Sequence, residues 1–197
     1  MELVTVITPT THDRDAMNKR IRRIIAAQDY PYVEHIFAYG TGSIGLKRNL
    51  LCAQAKGEII LHADSDDYYA TDWISKSIEA LGDNDLTGIN RAFFYRPHTH
   101  LWEYNNQRNQ RYVIGASMCY RKSMWERNKF REDIRQGEDA YFCQNSGHIM
   151  PHDYHDGFCA ILHGSNTASH LQTHKMIPLQ PDYAKHLLKD RYDEYGQ

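Results

Sequence analysis

Residues 3–8 (LVTVIT) are apolar or β-branched on both faces. That is the pattern of a strand covered on both sides, as in a parallel sheet. Pro9 ends it. Thr11 or Asp13 is expected to cap a helix, in which Met17, Ile21, Ile24, Ile25 and Gln28 recur at helical spacing and the apolar members form one stripe. Tyr30-Pro31 breaks it. Residues 33–39 read as a second strand, followed by a flexible turn at Gly40 and Gly42. Leu46, Leu50 and Ala53 predict the stripe of a second helix, and Gly57 stands where a left-handed C-terminal stop is expected. Residues 58–63 (EIILHA) read as a third strand that runs directly into Asp64-Ser65-Asp66-Asp67. Thr71 is expected to cap a third helix carrying Trp73, Ile74, Ile78 and Leu81.

This alternation predicts a parallel sheet with right-handed crossovers. Ligands of such sheets bind beyond the carboxyl ends of the strands. Thr8-Pro9-Thr10, Tyr39-Gly40-Thr41 and Asp64-Ser65-Asp66 meet at that edge. The second half is less regular. Residues 89–96 and 111–120 read as antiparallel strands flanking a polar excursion. Gly137-Glu138-Asp139 opens a helix to about Asn145, residues 158–163 (FCAILH) make a last strand, and a C-terminal helix follows Pro181. With no repeat and no linker, residues 1–197 read as one domain.

Hydrophobic residues are 41% and charged residues 24% of the 197, which fits an ordinary globular protein. A net charge of -2 gives no bulk reason for nucleic-acid binding. Cys52, Cys119, Cys143 and Cys159 form no C-x-x-C pair, which speaks against a zinc site of the usual spacing. Cys52 in a helix and Cys119 in a strand read as small buried residues, so a reducing, cytoplasmic compartment is expected. There is no signal-peptide pattern and no apolar run of spanning length. Peripheral attachment to a membrane stays open.

Asp64, Asp66 and Asp67 repel one another and raise each other's pKa unless a cation joins them. Mg²⁺ or Mn²⁺ takes oxygen ligands, often only one or two from protein, with water and a substrate diphosphate supplying the rest. The bland alternative is a solvated acidic turn. An EF-hand loop is excluded because Tyr68 and Tyr69 occupy ligand places. Glu138 and Asp139 suit catalysis by a carboxylate, and equally suit a helix N-terminus for its dipole alone. The run from His152 to Asp156 reads as a solvated loop. Arg91, Arg96, Arg108 and Arg111 lie among Phe93, Phe94, Tyr95, Trp102, Tyr104 and Tyr112. These rings suit sugars or nucleobases, or a plain hairpin with snorkelling arginines.

The segments VTVITPT, LKRNLLCAQAKGEIILHADSDDYY, GASMCYRKSMW, GEDAYF and LHGSNTAS, in this order over roughly residues 3–170, resemble the family 2 glycosyltransferases. The resemblance implies the GT-A fold, a Rossmann-like α/β domain with a mostly parallel central sheet flanked by helices and a smaller antiparallel part. It implies a donor half at about 1–85, an acceptor side at about 86–180 and a C-terminal helix or tail at about 181–197. It further implies a nucleotide-diphosphate sugar donor, a UDP-sugar foremost, and inverting transfer to a glycan or other hydroxyl acceptor.

By position, Asp66 would ligate the metal, Mn²⁺ or Mg²⁺, with His163 completing the site. Asp64 would contact the ribose or sugar side, and Asp67 the loop or the sugar. Arg48 would face the nucleotide. Thr8 and Pro9 would line the base pocket, with Thr10 and Ser65 among the donor-binding residues. Asp139, paired with Glu138, would be the general base. One departure stands out: the family's acid after the second strand is missing, and Tyr39 is there to stack on the base instead. The competing readings are a glycan- or nucleic-acid-binding module without catalysis, and a transferase acting on modified DNA bases. A nucleotidyltransferase would need a Gly-rich basic loop in place of Thr8-Pro9-Thr10-Thr11-His12.

Overall fold

The computed structural model describes residues 1–164, 166 and 173–195. Ser165 and residues 167–169 of the LHGSNTAS segment, and residues 196–197 of the C-terminal tail, lie outside the described residues. Strands β1 (Val4–Pro9), β2 (Val33–Ala38) and β3 (Ile59–His62) run parallel with β1 in the middle. Val4 lies beside Val33 and Ile59, so the three carboxyl ends point to one edge. Helices α1 (Asp15–Ala26) and α2 (Ile44–Gln54) are the crossovers, and α3 (Trp73–Leu81) follows the acidic turn. Helix α1 buries Ile21, Ile24 and Ile25, as its stripe predicts.

Three local expectations are corrected. Helix α2 is turned away from its predicted stripe: Leu50 is 49% exposed and Ala53 is exposed, while Lys47, Arg48, Leu51 and Cys52 are buried. Both cations find partners inside, Lys47 Nζ donating to the Thr10 carbonyl at 2.7 Å and Arg48 Nη1 to Glu138 at 2.7 Å. Gly57 is not in the left-handed region and lies beyond the end of α2. A Cβ there would sit 2.4 Å from the Leu3 carbonyl oxygen, so its job is close backbone approach. Neither Thr11 nor Asp13 caps α1, since a short 3-10 turn (His12–Arg14) intervenes, and Asp72 rather than Thr71 precedes α3.

Beyond the acidic turn come β4 (Tyr68–Tyr69), β5 (Leu86–Gly88), β6 (Arg91–Arg96), β7 (His100–Asn105), β8 (Cys119–Arg121), β9 (Ile149–Pro151), β10 (Phe158–Ile161) and β11 (Ile177–Leu179). The first sheet has the order β2-β1-β3-β8-β5-β9, with β8 antiparallel to both neighbours. The second has the order β11-β7-β6-β10-β4. The excursion expected to be irregular therefore contains a strand: β7 folds back on β6 across Pro97-His98. His98 adopts φ 58, and Thr99 N–H donates to the Arg96 carbonyl at 3.1 Å. Of residues 111–120 only the end is strand, and it belongs to the first sheet.

Helices α4 (Lys122–Arg127), α5 (Glu138–Gln144), α6 (Tyr183–Leu188) and α7 (Tyr192–Tyr195) complete the chain. Alternate residues of β1 and β3 serve different cores. Val4, Val6, Ile59 and Leu61 join a cluster that continues to Phe93 and Phe158 in the second sheet, whereas Ile7 and Ile60 face Leu51, Tyr120 and Phe142. Among the described residues no helix is long and apolar enough to cross a membrane.

Candidate active site

A cavity of about 300 Å³ opens where the carboxyl edge of the first sheet meets the second. Asp64, Asp66 and Asp67 form one wall, Glu138 and Asp139 another, and Phe94, Ala160 and Ile161 an apolar side. The acidic turn is pinned from outside. Tyr69 Oη accepts from Asp64 N–H at 2.9 Å and donates to the Ala116 carbonyl at 3.0 Å, while Tyr195 Oη donates to the Asp67 carbonyl at 3.0 Å.

The three aspartates occupy three different electrostatic settings. Burial alone would raise the Asp66 carboxyl, but the His163 hydrogen bond and the Arg14 charge hold it below the ordinary range. Its Oδ2 accepts from His163 Nε2 at 2.8 Å, Arg14 Nη1 at 3.2 Å and Asn166 Nδ2 at 3.2 Å. Asp64 is half-buried, and loss of water pushes its carboxyl up to about 6, with Arg48 opposing and Asp66 adding. Burial and the charges of Asp66 and Asp64 push Asp67 well up; its Oδ1 accepts from Ile161 N–H at 3.0 Å.

On the facing wall, Gly137 at φ 85 turns the chain into α5. Asp139 Oδ2 accepts from Tyr112 Oη at 3.1 Å and Gly115 N–H at 3.2 Å, and its Oδ1 from Ala140 N–H at 2.7 Å. Glu138 points the other way, into a buried ion pair with Arg48. Gly115 is wedged in: a Cβ would lie 3.0 Å from that of Asp139 and 3.1 Å from Arg48 Nη2. The Gly115 carbonyl accepts from His62 Nδ1 at 2.7 Å, and Tyr120 Oη donates to His62 Nε2 at 3.0 Å. Burial, with the Arg48 charge adding, drives the His62 pKa far down, so this buried imidazole stays neutral.

Among the sequence-predicted residues, Pro9, Arg48, Asp64, Asp66, Asp67, Glu138 and Asp139 line the cavity. His163 reaches it through Asp66. Thr8 and Thr10 are buried behind the edge instead: Thr8 Oγ1 donates to the Ala63 carbonyl at 2.7 Å, and Thr10 Oγ1 to Asn18 Oδ1 at 2.7 Å. Ser65 is buried beside Thr10 at 3.4 Å. Tyr39 is 40% exposed outside the cavity lining, stacked on His12 with ring centroids 4.8 Å apart. Sequence reasoning assigned no role here to Arg14, Gly115, Arg135 and Asn166, and named Tyr112 only among the rings of the basic aromatic stretch. Gly115 and Asn166 do stand in two of the segments that carry the family resemblance, and His62 inside an otherwise apolar strand was a further visible signal.

His152 and His155 also differ from expectation. The segment is no solvated loop: His152 is half-buried against Trp73, His155 packs on Phe93, and burial pushes His152 down to about 4. All four cysteines are buried and unpaired.

Among the described residues no three His, Cys, Asp or Glu side chains converge as a full metal cage. The adjoining carboxylate and imidazole of Asp66 and His163 do suit a divalent ion whose other ligands are water and phosphate. Arg14 and Asn166 would have to yield on Oδ2.

The family described as Glycosyl transferase family 2 matches residues 40–157, well over half of the chain. The chain belongs to that family. The matched part of this family 2 chain takes in Arg48, the acidic turn and Glu138-Asp139, and leaves out β1 and His163. Among solved structures it is similar to Staphylococcus aureus TarS 1–349 in complex with UDP-GlcNAc, at 16% identity and TM-score 0.61, over 86% of this chain and 61% of that one. It is also similar to the mannosyltransferase PcManGT of Pyrobaculum calidifontis in complex with GDP-Man and Mn²⁺, at 16% identity and TM-score 0.58, over 82% and 56%. These likenesses bear on the fold, which is the mixed α/β GT-A arrangement expected. The family 2 chain spans about three-fifths of the length of these structures. No curated protein matches it.

Proposed function

We propose that this chain is a glycosyltransferase that moves a sugar from a nucleotide-diphosphate donor to an acceptor hydroxyl, with a divalent metal and with inversion. The observation that carries the reading is the pair of acidic walls across one cavity, both inside the family-matched segment. Asp66 and His163 are the residues that would hold Mn²⁺ or Mg²⁺. Such an ion, when bound, offsets negative charge on a departing diphosphate. Arg14 and Arg135 add fixed positive charge to the same cavity.

Asp139 serves as general base. An acceptor hydroxyl is a weak nucleophile until its proton is being removed, and a positioned carboxylate contributes about 10²–10⁴-fold. Tyr112 and Gly115 bind one Asp139 oxygen and Ala140 the other, which fixes the carboxylate against the cavity. A hydroxyl deprotonated there attacks the anomeric carbon opposite the leaving group, which inverts its configuration. Glu138 keeps Arg48 neutralised behind that wall and takes no proton. The donor is a UDP- or GDP-sugar, the two kinds found in complex with the similar structures.

The test is thermal unfolding with a panel of nucleoside diphosphates, with and without Mn²⁺. A ligand at 100 times its dissociation constant adds about 2.7 kcal/mol, or roughly 5–10 °C for a domain of this size. A metal-dependent rise with one nucleotide, absent in Asp66→Ala, supports the donor site. No rise with any nucleotide in folded protein shifts the reading to a binding module.

A further inference from the structure

The hairpin of β6 and β7 has two unlike faces. One is closed, with Phe93, Tyr95, Leu101 and Glu103 all buried. The other carries Phe94 opposite Trp102 and Arg96 opposite His100, with Tyr104 one step inward. Pro178 of β11 lies beside Trp102 and is exposed. Phe94, Trp102 and Tyr104 are only half-buried, and Arg96 and His100 are exposed. A hairpin already held by its closed face has no folding need for this second row of rings. A row of rings left partly open to solvent beside a cavity is a candidate binding surface.

The row is ordered. His100 stacks on Trp102 at 4.9 Å with planes 2° apart, Arg96 stands over Trp102 at 5.8 Å, and Phe94 meets Tyr104 edge to face at 6.4 Å. It also leads into the candidate active site. Phe94 is part of the cavity wall. Burial raises the Tyr104 hydroxyl, with the Asn106 hydrogen bond opposing and the charge of Asp139 adding, which puts the inner end of the row within electrostatic reach of the proposed base. From Tyr104 to His100 the row runs about 14 Å at roughly 3.4 Å per residue, longer than one sugar ring.

We propose that this face is an extended acceptor subsite, which holds further sugar units of an oligosaccharide whose terminal hydroxyl reaches Asp139. The inference rests on the glycosyltransferase reading and names its acceptor class. Rings offer flat apolar area to the apolar faces of sugars, while their polar edges, together with Arg96 and His100, are available to hydroxyls. A nucleic-acid strand needs a track of cations along its backbone. The open row carries Arg96 and His100, while Arg91 alternates onto the closed face and pairs there with Glu103 at 2.5 Å.

The test combines a glycan array with titration followed by tryptophan emission. Trp73 and Trp125 are buried, so a ligand-sensitive signal comes from Trp102. The expected result is array binding that strengthens at least tenfold from mono- to hexasaccharide and shifts the emission. Binding should fall at least tenfold in Trp102→Ala and severalfold in His100→Ala, each checked for native circular dichroism. It should persist in Asp66→Ala and in EDTA, conditions that abolish the nucleotide response. Failure of that response alone therefore counts against the donor site and not against this face. No array signal from folded protein overturns the proposal. So does equal binding by Trp102→Ala and wild type, or tighter, salt-sensitive binding of decathymidylate than of any saccharide.

Discussion

The wing built from β1, β2 and β3 and the wing built from β6, β7 and β11 meet at the same cavity but hold it in different ways. In the first, every neighbour is reached through a helical crossover, and β1 and β3 are buried on both faces while β2 at the edge is half-buried. The acidic turn at its edge is consequently fixed by buried groups on all sides, from Tyr69 to Tyr195. In the second, β6 and β7 are joined by a hairpin, β11 returns from far along the chain to pair with β7, and one face stays partly open. Tightness therefore belongs to the side that holds the three aspartates, and accessible surface to the side that leads away from Asp139. A transferase that meets one fixed donor and a larger, variable acceptor is served by that division.

The largest expected effect separates the two walls. Asp139→Asn should lower transfer by about 10²–10⁴-fold while leaving the nucleotide-induced rise in Tm intact. Asp66→Ala should remove both. Undiminished transfer by Asp139→Asn would end the base assignment.

Next is the buried pair that ties α2 of the first wing to α5. Glu138→Gln leaves Arg48 buried without its counter-charge, at an expected cost of about 3–5 kcal/mol, read by urea denaturation. A loss below 1 kcal/mol would mean that Asp64 or Asp139 takes over the guanidinium.

Acid should weaken both edges of the first sheet by the same route, since His35 lies in β2 and His152 directly follows β9. Burial, with Arg22 adding, pushes His35 of β2 down to about 3, and burial pushes His152 down to about 4. Below pH 6.5 the unfolded chain gains protons that these folded imidazoles refuse, so stability falls as pH drops from 6.5 toward those values. At pH 5 each costs about 2 kcal/mol relative to neutral pH. His35→Gln and His152→Gln should each flatten the slope of unfolding free energy between pH 7 and 5. An unchanged slope in both would place the acid sensitivity elsewhere.

The smallest effect is Tyr112→Phe, which deletes one of three hydrogen bonds to Asp139. A change of about 0.5–1.5 kcal/mol corresponds to a loss of roughly tenfold or less in kcat, with donor KM unmoved.

The first wing was legible in the sequence because β1 and β3 are nearly continuous apolar or β-branched runs and its acids are adjacent. Strand β7 was hidden because its inward positions include a charge: in His100 to Asn105 the buried residues are Leu101 and Glu103, and Glu103 is tolerated only through Arg91. Helix α2 was misread for a related reason, since two cations face inward and push Leu50 out. The acids of the site could be named in advance. Their partners Arg14, Tyr112 and Gly115 could not, because each is selected by a distance across the fold rather than by a spacing along the chain.

The Arg48–Glu138 pair carries a consequence for how such a chain can change over time. Arg48 comes from α2 and Glu138 from α5, and each is stranded if the other is replaced. Single replacements at either position pass through a poorly folded intermediate, whereas two apolar residues of matching volume together can be tolerated. The two positions form one hereditary unit. Among descendants of this sequence, positions 48 and 138 are expected to be exchanged as a couple or not at all.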